Sequence, residues 1–394
     1  MKIGIVTYVK CDNYGAELQA YAMQYIYNKL GYDAEIIDLE KQNKDISTSV
    51  STIVPAIINR FKIYKLKAPF KIIQLILDVL KRKRAAERYQ LEIKKKHVLF
   101  TSFFENKIKH SARHYKLKDV YSVDMPYDVY VAGSDQIWNY MHTDYLDVYF
   151  LMFANRFHAK KISYAASISV PDIPFHLQEK YETFFENMDH IAVRELNGAN
   201  IVKKYSKKEV TVVLDPTLLV TKNEWKKDVA HEICKEEKYV LVYTLSRSSY
   251  IYSLAKNISK QIGANKIINI KSDFVPEKPN NEIEHLYQIG PTEWVGLILN
   301  AAYMVTDSFH GTIFSINFNI PFTTLLNPSS NMNNRVLSIL QITGLEDRII
   351  YDNGKNEYPT TFFIDYDRVN SIIDTWREKS WTYIEATLND GEKS

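Results

Sequence analysis

Short runs of β-branched and other apolar residues recur along almost the whole chain, each closed by small or polar residues and followed by a stretch of helical periodicity. That alternation predicts parallel strands joined by crossover helices, because parallel neighbours need a connection long enough to bring the chain back. The first unit sets the pattern. A strand over 3–8 leads through a loop to a helix from about 15 to 30, in which Leu18, Ala22, Tyr25, Ile26 and Leu30 fall on one face. Gly31 follows as a residue suited to a left-handed helix stop, and 34–39 reads as the second strand. Further strands are expected at 128–132, 161–166, 190–193 and 210–214. A second series has strands at 239–245, 266–270, 303–306 and 322–326, with helices at 251–262, 292–302, 311–317 and 333–342. The 394 residues suffice for two such units. The expected architecture is α/β, with two Rossmann-like domains facing across a cleft. The first spans 1–220; the second spans 221–394 and ends in a helix over 366–387 that packs back on either domain.

Residues 44–119 break the alternation. They are basic and helical in period, with Ile57, Phe61, Tyr64, Ile72, Ile76 and Leu80 on an apolar face interrupted by Pro69. Over the whole chain 50 Lys and Arg stand against 47 Asp and Glu, yet between Arg60 and Lys116 the count is 17 against 4. The near-neutral total is therefore a cancellation between one basic segment and an acidic remainder. Two readings of the segment stay open: an inserted helical arm with a solvated face, or an amphipathic surface for anionic lipid headgroups or a phosphate-bearing acceptor. Its aromatics form no stacking platform for single strands, so nucleic acid is not an expected partner.

Cys11 and Cys234 are the only cysteines, too far apart in sequence for a zinc or redox motif. The apolar run after Met1 ends at Lys10, too short for a signal-peptide core, and no stretch reaches the roughly 20 apolar residues of a bilayer span. A cytoplasmic protein is expected, with peripheral contact to the inner face of the cell membrane through residues 60–116 as the open option.

In doubly wound sheets ligands bind beyond the carboxyl ends of the strands, which directs attention to three loops. In Asp12-Asn13-Tyr14-Gly15-Ala16, Asn13 suits a helix cap and Gly15 a close approach. In Gly133-Ser134-Asp135-Gln136-Ile137-Trp138-Asn139, Asp135, Gln136 and Asn139 offer hydroxyl-reading groups and Trp138 a stacking surface. The alternative there is a buried Trp138 and a capping Asp135. In Thr306-Asp307-Ser308-Phe309-His310-Gly311-Thr312, a histidine stands at a helix start where backbone N–H groups can hold phosphate. Arg194, at the end of the strand 190–193, offers either a two-pronged anion clamp or an ion pair with Asp215 or Glu195.

Taken in order, Asn13-Tyr14-Gly15-Ala16 with Leu18-Gln19-Ala20-Tyr21, then the 133–139 loop, Val193-Arg194-Glu195, Leu214-Asp215-Pro216-Thr217 and Ser308-Phe309-His310-Gly311, resemble the polysaccharide pyruvyl transferase family over most of the chain outside the basic segment. The resemblance implies a GT-B-like fold and an enzyme of exopolysaccharide and cell-envelope biosynthesis. It implies phosphoenolpyruvate as donor, a co-substrate in place of any cofactor, and a lipid-linked or nucleotide-linked sugar or oligosaccharide as acceptor. Carried over, it makes His310 a donor-site and catalytic residue, with Arg194, Ser308, Phe309, Gly311 and Thr312 around the donor. One position departs from the family's Arg-Leu-His-Gly: Ser308 stands where that arginine would be, so Arg335 or a lysine is left to supply the charge.

The reaction expected is closure of a pyruvate ketal with release of phosphate. His310 serves as general acid and Asp135 as base or orienter, and no metal-ligand cluster is evident. Acceptor contacts are assigned to Asn13, Tyr14, Gly15, Ser134, Gln136, Trp138 and Asn139. Two rival functions remain: a GT-B-type glycosyltransferase using a nucleotide sugar, and a non-catalytic membrane or assembly protein using the basic segment.

Overall fold

The computed structural model describes residues 1–40, 87, 89–231, 237–246, 248–271, 282–330, 333–355 and 357–390. Its first half runs β1 (Lys2–Val6), α1 (Tyr14–Lys29), β2 (Asp33–Ile36), α2 (Gln90–Lys107), β3 (Val129–Ala132), β4 (Lys160–Ser163), α3 (Gln178–Asn187), β5 (Ile191–Val193), α4 (Leu196–Tyr205) and β6 (Val210–Val212). The second half runs β7 (Tyr239–Thr244), α5 (Tyr250–Ile262), β8 (Lys266–Lys271), β9 (Ile283–Leu286), α6 (Pro291–Leu299), β10 (Tyr303–Thr306), α7 (Phe309–Phe318), β11 (Phe322–Leu326), α8 (Asn334–Thr343), β12 (Ile349–Tyr351) and α9 (Tyr366–Asn389).

All strand pairs are parallel. The first sheet has the order β2-β1-β3-β4, and bridges Ile162↔His190 and Ala166↔Val193 lead from β4 to the pair β5-β6. The second has the order β12-β11-β10-β7-β8-β9. Central strands carry apolar residues on both faces because helices cover both. Val-Tyr-Val-Ala of β3 and Tyr-Met-Val-Thr of β10 are buried throughout. The edges read differently: β9 buries only Ile283 of its four residues. The sequence reading found the central strands but not β9 or β12.

One apolar core joins the halves, drawing on α1 and α2 from the first and on α6 and α7 from the second. Tyr14, at the start of α1, stacks on Trp294 of α6 at 5.5 Å between ring centroids and donates from its hydroxyl to the Ile289 carbonyl at 2.8 Å. Burial of two such rings is worth roughly 1.5–3 kcal/mol each. The terminal helix α9 returns to the first half: the Ser380 hydroxyl accepts from Leu214 N at 3.0 Å and Tyr383 donates to the Ser163 carbonyl at 2.9 Å. Its first turns stay on the second half, where the Tyr366 hydroxyl donates to the Ile320 carbonyl at 2.5 Å and Arg368 to the Thr343 and Gly344 carbonyls, so the helix meets both halves.

The basic segment needs correction over its described part. Residues 90–107 form α2, whose Phe100, Phe103 and Phe104 lie in the shared core, and the chain beyond bridges to the β2 side at Ile36↔His110 and Leu39↔Tyr115. Residues 90–119 are therefore part of the first half's body rather than a solvated arm. Aromatic burial outweighs the lysines, which line the opposite face, apart from Lys96 over the Tyr14 ring. Residues 41–86 and 88, which carry all six residues of the apolar face noted above, lie outside the described residues. Among the described residues no helix is long and apolar enough to cross a membrane.

Candidate functional site

The carboxyl ends of β1 and β3 in one half and of β7, β10, β11 and β12 in the other point their loops at a common cleft of about 600 Å³. Asn13, Asp135 and Gln136 line it from the first half, and Ser308, Phe309, His310 and Arg335 from the second.

Beneath the cleft lies a buried charge network built on Arg194. Its Nη1 donates to Asp215 Oδ2 at 2.7 Å and to Ser134 Oγ at 3.2 Å, and its Nη2 reaches Asp135 Oδ1 at 3.3 Å. The remaining Asp215 oxygen caps the short helix Pro216–Leu219, accepting from Thr217 N at 3.1 Å and from the Thr217 hydroxyl at 2.7 Å. Burial opposes ionisation of Asp215 and Asp135, yet the adjacent Arg194 guanidinium holds both carboxyls below the usual range, and the three surrounding carboxylates keep Arg194 charged. Glu195 divides its oxygens: Oε2 faces Arg194 Nε at 3.9 Å, while Oε1 accepts from the Ser167 hydroxyl and from Ile168 N and Ser169 N. Arg194 is thus committed to protein carboxylates. The ion-pair alternative describes it, and its expected role as a donor clamp is not what this geometry offers.

His310 and Arg335 differ. The His310 side chain is buried, and its Nε2 has no hydrogen-bond partner among the described residues. Burial pulls its pKa down to about 4; Asp215 and Asp135 act to raise it, Arg194 and Arg335 to lower it. The imidazole is therefore neutral near pH 7. Its position is fixed by Gly15: a Cβ there would stand 2.0 Å from His310 Nδ1, so only glycine lets α1 of one half meet the imidazole of the other. Arg335 has a buried Nε without a partner, makes no ion pair among the described residues, and is drawn down to about 10 chiefly by burial. Its guanidinium lies 5.6 Å from the Phe309 ring, and that of Arg194 lies 4.6 Å from it, so one aromatic ring accommodates two cations.

The other expected residues divide by position. Asn13 caps α1, accepting from Ala16 N at 3.2 Å, and still borders the cleft. Gln136 borders it as well. Ser134 is fully buried in the Arg194 network. Tyr14 and Gly15 serve the joint between halves, as described above. Ser308 caps α7 through Gly311 N. A Cβ on Gly311 would meet Thr306 Oγ1 at 2.4 Å, so that glycine makes room for a strand-end hydroxyl rather than for phosphate. Thr312 is spent on the Ser308 carbonyl and Thr324.

Trp138 is a correction. It is 0% exposed, stacks on Phe150 at 4.4 Å and donates to the Tyr149 carbonyl, so it cannot lie against a sugar. Asn139 is buried beside it, holding Met141 N. The buried Trp138 is the alternative that the sequence left open, but Asp135, instead of capping a helix, accepts from Gln136 N and faces Arg194. Sequence reasoning passed over Asp307, which accepts from Thr244 Oγ1, Leu245 N and Ser246 N and so fixes the loop after β7. It sat inside a loop already singled out. Among the described residues no group of three His, Cys, Asp or Glu could hold a metal ion.

A family model described as polysaccharide pyruvyl transferase matches residues 13–330. No curated protein matches the chain. Among solved structures, the UDP-GlcNAc 2-epimerase of Methanocaldococcus jannaschii is similar at a TM-score of 0.52 and 11% identity, over 95% of this chain and 92% of that one. A putative UDP-N-acetylglucosamine 2-epimerase of Listeria monocytogenes gives 0.51 and 7%, over 100% and 97%. The S. aureus MnaA–UDP co-structure gives 0.51 and 11%, over 99% and 97%. At such identities these likenesses speak to the fold alone, which is of the GT-B type.

Proposed function

The chain belongs to the polysaccharide pyruvyl transferase family, and from that premise we propose that it transfers pyruvate from phosphoenolpyruvate to a sugar of a surface-polysaccharide precursor, closing a ketal and releasing phosphate. The observation that carries the reading is the pair of buried, unpartnered nitrogens, His310 Nε2 and Arg335 Nε, at one cleft beside the start of α7. Buried polar groups are ordinarily bonded, and an anion with several oxygens would satisfy both. Arg335 provides the cation that Ser308 does not.

In this reading the donor's phosphate and carboxylate lie between Arg335 and the first turn of α7. Their negative charge offsets the burial that keeps His310 neutral and draws a proton onto it. His310 then protonates the methylene carbon as a sugar hydroxyl adds to the adjacent carbon, and Asp135, held ionised, orients that hydroxyl and receives its proton. Attack by a second hydroxyl of the same sugar breaks the bond to phosphate, which departs with the remaining proton. Arg194 and Asp215 contribute by holding Asp135 and His310 in register. The acceptor is carried on a lipid or a nucleotide, and contact with a membrane through the basic segment belongs to the same proposal.

The test is inorganic phosphate release from phosphoenolpyruvate with a broad panel of lipid-linked and nucleotide-linked sugars. Acceptor-dependent release with a pyruvate ketal mass increment in the product is the expected result. Thermal shift adds a donor test: phosphoenolpyruvate should stabilise the protein. Stabilisation by UDP- or GDP-sugars with none by phosphoenolpyruvate would favour the glycosyltransferase instead.

A further inference from the structure

The cleft is unevenly charged, and the half of it that holds no cation is built from the ends of adjacent strands. Ser246 follows β7, Asp307 follows β10, Asn327 follows β11 and Asp352 follows β12, and all four border the cleft. In the sheet these strands are consecutive neighbours, in the order β12-β11-β10-β7. With about 4.8 Å between strands, the row spans about 14 Å, enough for one or two sugar rings. Asp307 is occupied in fixing its neighbour, since it holds Leu245 N and Ser246 N. Asp352, by contrast, has no hydrogen-bond or ion-pair partner for its carboxylate among the described residues. Asn327 uses its side-chain oxygen on Ser329 N and presents its amide nitrogen.

Resting on the pyruvyl-transfer reading, we infer that this row is the acceptor subsite: a surface for a neutral polyol on the second half of the molecule, with Asp352 rejecting acceptor rings that carry a carboxylate. The chemistry of the row favours hydroxyls. A carboxylate and a hydroxyl oxygen accept from sugar O–H groups, an amide donates to them, and no lysine or arginine stands in the row to welcome an anion. The one cation bordering the cleft among the described residues, Arg335, lies with His310 in the donor's part. This relocates acceptor recognition. Of the seven residues first assigned to it, Ser134, Trp138 and Asn139 are buried, Tyr14 and Gly15 form the joint, and only Asn13 and Gln136 face the cleft. Like charges brought together on binding are a known source of discrimination, so uronic acids are the class the row excludes.

Saturation-transfer NMR with matched pairs of methyl glycosides tests this. Methyl glucoside, galactoside and mannoside are each compared with the corresponding uronic acid, with and without phosphoenolpyruvate. At least one neutral glycoside should show transfer about fivefold stronger than its uronate, and Asp352→Asn should shrink that gap below twofold. The thermal shift given by phosphoenolpyruvate should be the same in the variant, which also reports that it folds. Equal or stronger transfer to the uronate in the unmodified protein would overturn the inference. So would a gap that moves with Gln136→Ala and not with Asp352→Asn, or the absence of transfer to every neutral glycoside. Failure of phosphoenolpyruvate to stabilise the protein would instead strike the donor reading, while glycoside transfer without it would still report on the row.

Discussion

Two clusters of charge share the cleft and are built on opposite principles. Around Arg194 the charges are matched: Asp215, Asp135 and Ser134 bond its two Nη atoms, and Nε, which has no hydrogen bond, still faces Glu195 Oε2 at 3.9 Å. Around His310 and the partly buried Arg335 no carboxylate is bonded among the described residues, and His310 Nε2 and Arg335 Nε are buried without a partner. Paired groups in a low-dielectric interior hold a shape, whereas unpaired ones carry a standing cost that a ligand of complementary charge removes. The first cluster is a frame and the second a receptor.

The contrast breaks if the two arginines behave alike. Arg194→Met leaves Asp215 and Asp135 buried without their cation, and loss of one partner of such a pair costs about 3–5 kcal/mol. Urea unfolding should show that loss. Arg335→Met removes a cation with no ion partner, so stability should be unchanged or slightly higher while stabilisation by phosphoenolpyruvate disappears. Comparable destabilisation by both variants would mean that Arg335 belongs to the frame.

Acid unfolding sharpens the comparison, because the two clusters lose stability in different pH windows. His310 is lowered to about 4 in the folded chain against about 6.5 unfolded, so the unfolded state binds a proton that the folded state refuses between those values. Stability should therefore fall by about 3 kcal/mol as pH drops from 6.5 towards 4, and His310→Gln should flatten that slope. Asp135 and Asp215 are also depressed, but from the carboxylate range, so their contribution is intact above about 4 and is lost only below it. Melting temperature against pH, for the chain and for His310→Gln, separates the two. A slope unchanged by the substitution would remove His310 from the account.

Gly15 links the clusters to the joint between halves. In Gly15→Ala the new methyl would fall 2.0 Å from His310 Nδ1, so α1 or the imidazole must move by an ångström or so. Misplacement on that scale is expected to lower turnover by about a hundredfold. Thermal stability should drop far less than in Arg194→Met, since the joint's aromatic core is untouched. Turnover within a factor of three of the original would show that the imidazole position is not critical.

These outcomes bear on what a sequence can disclose. Central strands such as β3 and β10 were legible because burial on both faces leaves an unbroken apolar run. The edge strands β9 and β12 were not, because strands of four and three residues with a single buried position each resemble a loop. The functional loops were legible by composition, since Asp135, Arg194 and His310 all come to the cleft or lie beneath it. Side-chain direction was not, for it depends on what a neighbouring element leaves room for. Asp215 shows the difference: Asp followed by Pro announces a helix cap, but nothing in Leu-Asp-Pro-Thr says that the second oxygen will face an arginine from another strand. Helix α2 was misread for the same reason, because its lysines outnumber the three phenylalanines that decide where it packs.

Trp138 supplies the smallest expected effect and the sharpest test of that lesson. An indole in a polar loop beside a cleft suggests a sugar platform, yet here its ring lies flat on Phe150, at 8° between planes, and its N–H is satisfied by Tyr149. Trp138→Phe keeps most of the stacking area and gives up one hydrogen bond and a little volume, a loss of about 1–2 kcal/mol measurable by urea unfolding. Because the ring faces the core, the acceptor KM should stay within twofold. The reverse pattern, unchanged stability with a tenfold higher acceptor KM, would place the indole on the sugar and move acceptor recognition back to the first half.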